Sequence, residues 1–365
     1  MIQKRMLCVA VALAIVLALS LPALADGPSA VAWLKVQQNS DGGFGSPEST
    51  IGATADVLLA VASTGDNGIA WVADGNTPLD YLKANGSSIT KAGDTAKVIL
   101  ATIASGQDPR TSAGLDLVAK LEGMVGSDGR IGGDNDFVNE HSYALIALSS
   151  AKRPIPTQAI DYLMRSQIAD GTWSWNGDAA VGSGDNNTAA IVVVALIAAG
   201  VPADNAQVEQ ALAHLKGQQN EDGGFPYISP SPYGTDSDSN SSAVVMWAIK
   251  AAGRDPAGVE WKHGGKDGHS ALDRLRAFQN ESGAFRWQDG APGDNFASTI
   301  QAVVALELKT LPFATMDVGA ASEEMAEEQP VTLPETGGAT WVLTLALLGG
   351  GAALSSVGLA LRRRL

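Results

Sequence analysis

The groups best placed to do chemistry in this sequence are carboxylates, amides and aromatic rings set in polar loops. Asp185, Asn187, Asp236, Asp238 and Asp294, together with Asp134, Asp136 and Asp222, lie in stretches rich in Gly, Ser and Asn. Trp173, Trp175, Tyr227 and Trp287 lie in or beside the same stretches. Two carboxylates about 5 to 9 Å apart can act on a glycan as acid and base or nucleophile, with aromatic rings as stacking platforms. Position along the chain does not select such a pair. Trp173 and Phe225 read first as buried plugs and only second as platforms.

The run Asp236-Ser-Asp-Ser-Asn240 opens like a calcium loop. Its sixth position is Ser241 rather than Gly and its twelfth is Trp247 rather than Glu, so calcium is not expected. Asp236 and Asp238 read instead as helix-capping groups, with a catalytic acid at Asp238 as the alternative. His263 and His269 bracket Gly-rich sequence that reads as a surface loop rather than a metal site. No metal and no cofactor is expected.

The single cysteine, Cys8, sits in an N-terminal apolar run, which leaves the rest of the chain without thiolate chemistry or disulfides. The formal charge is −15. Lys4, Arg5, Arg362, Arg363 and Arg364 lie in terminal segments expected to be removed, so the body is more acidic still. Such a surface repels phosphates, and no nucleic-acid partner is expected.

Residues 1–25 carry a basic start, an apolar run and small residues at Ala23 and Ala25, the order of a signal peptide cut before Asp26. At the other end Leu333-Pro334-Glu335-Thr336-Gly337-Gly338 precedes an apolar stretch at 339–361, long enough to span a bilayer, and a basic tail at 362–365. This tail resembles the cell-wall sorting signal of Gram-positive surface proteins. The resemblance implies a sortase-type transpeptidase as partner, cleavage after Thr336 and attachment to the cell wall, with a plain membrane anchor as the alternative. Residues 314–332, rich in Glu, Gly and Ala, read as a solvated spacer.

The elements that must position the loop residues come from a repeat over residues 26–313, recurring at roughly 40 to 60 residues. Each unit opens with an amphipathic helix, as in Ala30-Val-Ala-Trp33-Leu34 and Ala271-Leu-Asp-Arg274-Leu275. Four of these run into related stops: Gln38-Asn-Ser-Asp-Gly-Gly-Phe44, Gln167-Ile-Ala-Asp-Gly-Thr-Trp173, Gln219-Asn-Glu-Asp-Gly-Gly-Phe225 and Gln279-Asn-Glu-Ser-Gly-Ala-Phe285. Gly supplies the left-handed turn and the aromatic residue folds back as a plug. A polar loop then caps a second helix that is apolar on all sides, and therefore internal, as at 189–199 and 243–252. Six such pairs, with neither end of the array polar, predict a closed ring rather than an open solenoid.

The Gln-rich, Gly-aromatic stops and the Asp-Ser/Thr-Ala openings resemble the prenyltransferase and squalene-oxidase repeats of the α/α toroid superfamily. The resemblance implies an all-α fold, an (α/α)6 toroid of about six helix pairs. It also implies candidate activities, and residues decide among them. The catalytic zinc of protein prenyltransferases and the thioester of complement-type domains both need a Cys that the body lacks. Squalene-hopene-type cyclases use the middle carboxyl of Asp-x-Asp-Asp. Here the segment is Asp236-Ser237-Asp238-Ser239, short of the last Asp, and only 5% of residues are aromatic. Cobalamin carriers close the toroid with a β domain, and a partner chain would have to supply it.

The reading that remains is a cell-surface binding or scavenging module, non-catalytic, with a pocket floored by Ala and Val and rimmed by Asp, Asn and Ser. Its expected ligand is small or apolar, cobamide-like or lipid-like. The alternative is an extracellular enzyme acting on a terpenoid or a glycan.

Overall fold

The computed structural model describes residues 25–133, 137–232 and 234–319. The signal sequence before Ala25, Asp134, Asp136, the sorting motif, the apolar stretch and the basic tail lie outside the described residues. Among the described residues there are twelve α-helices, α1 to α12 in chain order. No helix among them is long and apolar enough to cross a membrane.

The odd-numbered helices form the outer layer: α1 Gly27–Lys35, α3 Pro78–Ala84, α5 Leu117–Glu122, α7 Thr157–Arg165, α9 Ala206–Gly217 and α11 Ala271–Ala277. The even-numbered ones form the inner layer: α2 Ile51–Ser63, α4 Ala92–Ala104, α6 Val138–Ser150, α8 Asn186–Ala198, α10 Ser239–Ala251 and α12 Phe296–Leu306. Each inner helix packs on the next, and α12 returns to α2, so the ring closes. Helix α8 buries its sides because it is apolar nearly all round; Ala189 through Leu196 are all buried. The chain thus folds as the α/α toroid its repeats imply.

The stop sequences explain how neighbouring units are joined. Gly42, Gly171, Gly223 and Gly283 have φ between +88° and +91°, and a Cβ on Gly42, Gly223 or Gly283 would lie 2.3 to 2.5 Å from a carbonyl of the next outer helix's first turn or cap. The glutamine four residues earlier bridges the same joint. Gln219 Nε2 donates to Gly223 O and to Trp261 O, both at 2.8 Å, and Gln167 Nε2 reaches Gly171 O and Gln207 O. The plugs Phe44, Trp173, Phe225 and Phe285 are fully buried. The N–H of three of them is taken by a hydroxyl from the inner helix: Thr54 for Phe44, Ser242 for Phe225 and Thr299 for Phe285.

The third unit lacks both Gln and aromatic, and other residues do the same work. Gly129 makes the turn at φ +89°, Ile131 is the buried plug, and His141 Nδ1 accepts from Ile131 N at 2.9 Å. The other His141 nitrogen is 2.9 Å from Ala159 O. Burial lowers this imidazole to about 4, so it is neutral and carries its proton on Nε2, toward Ala159.

Two features differ from expectation. A short antiparallel hairpin, β1 Phe285–Gln288 with β2 Ala291–Asn295, precedes α12 where only a loop was read. The spacer also starts later than residue 314. Ser150 Oγ donates to Ala314 O at 2.8 Å, Met316 N donates to Ser150 O at 2.8 Å, and Val318 is buried. Upstream, Lys309 Nζ donates to Ser63 O at 2.6 Å. The segment after α12 therefore crosses beneath the C-terminal ends of α2 and α6, with Leu311 buried against the inner helices. Apolar Leu311, Met316 and Val318 within a polar stretch are the reason.

Candidate functional site

The N-terminal ends of the inner helices surround a cavity of about 380 Å³, lined by Gly93, Asp94 and Lys97 of α4, Asn139, Glu140 and Tyr143 of α6, Asn187 and Ile191 of α8, Val244 of α10 and Gln301 of α12. A smaller void lies deeper, between Asp56, Trp247, Ile300 and Leu311, and shares Tyr143 and Gln301 with the main cavity.

The floor is not the Ala and Val surface expected from the sequence. Lys97 Nζ and Asp56 Oδ2 form an ion pair at 2.8 Å, with side chains only 24% and 28% exposed. The ammonium also lies 5.1 Å from the centre of the Tyr143 ring. Burial opposes the charge on Lys97, but the Asp56 carboxylate beside it prevails and holds the ammonium above its ordinary range. Burial pushes the Tyr143 phenol up to about 12, so it remains a hydrogen-bond donor.

Three buried polar atoms on these walls have no hydrogen-bond partner: Asn139 Oδ1, Asn187 Oδ1 and Trp247 Nε1. Each such group costs about 1–3 kcal/mol unless water or a ligand satisfies it. Glu140 is partly committed, since it accepts from Phe137 N at 3.0 Å at the start of α6.

Among the described residues of the sequence-derived set, Asn187 is the one that lines this cavity. Asp185 and Asp238 are buried N-caps: Asp185 accepts from Thr188 N and Oγ1, both at 2.8 Å, and Asp238 accepts from Ser241 N at 2.7 Å and Oγ at 2.8 Å. Burial raises both carboxyls against those bonds. Asp236 lies instead in an open groove with Asp222, Arg274 and Asp289, where Arg274 bridges Asp222 at 2.9 Å and Asp289 at 2.7 Å. Asp294 accepts from Asn280 Nδ2 and Ser282 Oγ, both at 2.8 Å, inside the last stop; the cap of α12 is its neighbour Asn295.

Trp173 is no platform, for it is fully buried and Nε1 donates to Leu163 O at 2.7 Å. Trp175, Tyr227 and Trp287 are exposed. Asp236–Trp247 is a cap followed by helix, which is no cation loop. Asp94 is the third residue of α4 and lines the cavity.

Asp56, Lys97, Glu140, Tyr143 and Gln301 were missed. Asp56 and Lys97 had a legible signal: Asp56 is the one charge in α2, and Lys97 stands in the middle of α4, whose other charge, Asp94, is in its first turn.

The sequence profile of the squalene-hopene cyclase C-terminal domain matches residues 138–290. No curated protein matches the chain. Among solved structures, the apo type II terpene cyclase MstE from Scytonema superposes with a TM-score of 0.53 at 17% identity, over 77% of this chain and 96% of that one. A variant of that cyclase in complex with geranylgeranyl dihydroxybenzoate gives 0.53 at 18% identity, over 77% and 95%. A glycosidase variant gives 0.51 at 13% identity, over 78% and 96%. At these identities the likeness is one of fold. Ring closure and repeat grammar agree with the profile match over residues 138–290, and the chain has the α/α toroid fold of these terpene cyclases.

Proposed function

We propose that the toroid is a binding module whose central cavity takes a small, neutral, hydroxylated molecule, displayed outside the cell on a C-terminal anchor. The observation that carries this reading is the convergence of unpartnered Asn139, Asn187 and Trp247 on walls that also hold the Lys97–Asp56 pair and the Tyr143 phenol. Donors and acceptors mixed at close quarters suit hydroxyl groups, which both give and accept hydrogen bonds. A polyprenyl chain would leave every one of these groups unsatisfied. A volume near 380 Å³ also suits a small ligand and is far too small to enclose a corrin.

Cyclisation of a terpenoid draws little support from the residues present. Both oxygens of Asp238 are engaged in capping, and it is absent from the cavity wall. Export and anchoring rest on the Ala23 and Ala25 pattern and on the Leu333 to Gly337 motif. Asp26, the first residue after the expected cut, takes part in the ring's hydrogen bonding.

Native mass spectrometry of the full protein from its own host tests the ligand reading. A bound hydroxylated small molecule that is absent from the Asn187→Leu variant is the expected result. A retained prenyl or corrinoid adduct would overturn it. For the anchor, wall digests should yield a peptide ending at Thr336 joined to wall material, whereas an intact Arg364-containing C-terminus would mean a membrane anchor.

A further inference from the structure

Trp175, Tyr227 and Trp287 occupy the same place in three successive units, two residues beyond the buried plugs Trp173, Phe225 and Phe285. These residues are 46%, 48% and 45% exposed, the three largest aromatic exposures among the described residues. An aromatic ring left open costs hydrophobic free energy, and three related units each leave one open at one position.

Hydrogen bonds of the neighbouring chain fix where these rings stand. Trp175 O accepts from Val138 N at 3.1 Å, at the first turn of α6, and Tyr227 O accepts from Asn186 N at 3.0 Å, at the first turn of α8. Gln288, next to Trp287, donates from Nε2 to Asp236 O at 3.3 Å, just ahead of the α10 cap. Each ring therefore sits by the N-terminus of the preceding inner helix, on the rim of the cavity that Asn139, Glu140 and Asn187 line. Because packed helices lie about 8–10 Å apart, the three positions form an arc with steps of that order.

Two of the rings have partners that hold them in place. Trp175 stacks edge-on against Phe137 with centroids 5.0 Å apart, and the Tyr227 hydroxyl is hydrogen-bonded to the Asp185 carboxylate. Asn176 and Asp178 stand exposed beside Trp175, and Asp289 near Trp287.

We propose that this arc is a binding surface for an extended, neutral oligosaccharide, whose apolar sugar faces stack on Trp175, Tyr227 and Trp287 while its hydroxyls meet the polar side chains between them. The chemistry selects this occupant. Isolated rings separated by polar groups do not make the continuous apolar patch that a protein partner or a lipid surface requires. The formal charge of −15 disfavours anionic membranes and charged polysaccharides. The arc does not depend on what fills the cavity beneath it.

The test is calorimetric titration of the full protein with β-1,4-linked hexasaccharides of glucose, of mannose and of N-acetylglucosamine. At least one should bind, and Trp175→Ala and Trp287→Ala should each weaken it about tenfold or more, which is about 1.4 kcal/mol. Val36→Ala, at an exposed side chain in the first unit, which contributes no ring to the arc, should change that affinity less than threefold. Absence of binding by all three sugars, or equal affinity in the tryptophan variants, would overturn the arc. Loss of binding in Asn187→Leu with no effect of the tryptophans would overturn the arc while leaving the cavity reading intact. Near-ultraviolet circular dichroism establishes that each variant is folded.

Discussion

Gln279 and Asp26, 253 positions apart in the chain, exchange two hydrogen bonds: Asp26 N donates to Gln279 Oε1 at 2.8 Å, and Gln279 Nε2 donates to Asp26 O at 2.9 Å. Gln279 Nε2 also donates to Gly283 O at 2.8 Å, so one amide closes both its own turn and the ring. The same glutamine in earlier units joins neighbours in sequence; here it joins the last unit to the first. Gln279→Ala should cost about 1–3 kcal/mol in chemical denaturation and raise amide exchange in α1. A loss below about 0.5 kcal/mol would mean that apolar packing alone closes the ring.

Two glycines with the same backbone angle should respond differently to alanine. Gly223, at φ +88°, would place a Cβ 2.5 Å from Ser270 O, whereas Gly200, at φ +92°, has nothing within 4 Å. Gly200→Ala should cost about 1–2 kcal/mol, the left-handed strain alone. Gly223→Ala adds a backbone clash and should cost about 3 kcal/mol or more. Equal thermal shifts would show that the joint between units is slack.

His141 should make the fold sensitive to mild acid. Its folded value near 4 lies below the unfolded value of 6.5, so between those pH values the unfolded chain binds a proton that the folded chain does not. Its contribution is therefore complete above pH 6.5 and is lost as pH falls toward 4. Urea titrations at pH 7.5 and 4.5 should differ by about 2–3 kcal/mol more in wild type than in His141→Gln. An identical pH dependence in both would remove His141 as the cause.

Asp238 separates a cap from an acid. Asp238→Asn keeps an acceptor for Ser241 N and should cost under about 1 kcal/mol, while Asp238→Ala should cost about 1–2 kcal/mol, both read from thermal unfolding. A catalytic acid would show the reverse concern: Asn would leave stability intact and abolish turnover of a polyprenyl substrate.

The ring was legible because its grammar is local. Helix period, left-handed glycine and aromatic plug each act within a few residues, and Gln279 could be placed by analogy with Gln38, Gln167 and Gln219. The cavity was not, because its residues come from five different helices and meet only when the ring closes. Asp185 and Asp238 drew attention as acids in polar loops, yet that setting is also what a helix cap looks like. Lys97 and Asp56 carried the better signal: a charge placed in a helix that is otherwise buried must face a partner or a cavity. The third unit was weak in sequence because His141 and Ile131 replace the usual hydroxyl and aromatic by different chemistry with the same geometry.

The central claim is that the cavity is built for hydroxyl groups. Calorimetric titration of the wild type and of Asn187→Leu with glucose, N-acetylglucosamine, myo-inositol, glycerol and geranylgeraniol tests it most directly. At least one hydroxylated probe should bind the wild type and lose about tenfold or more in the variant, the cost of one hydrogen bond left unmade. Binding of geranylgeraniol in preference to every hydroxylated probe, undiminished by Asn187→Leu, would contradict it.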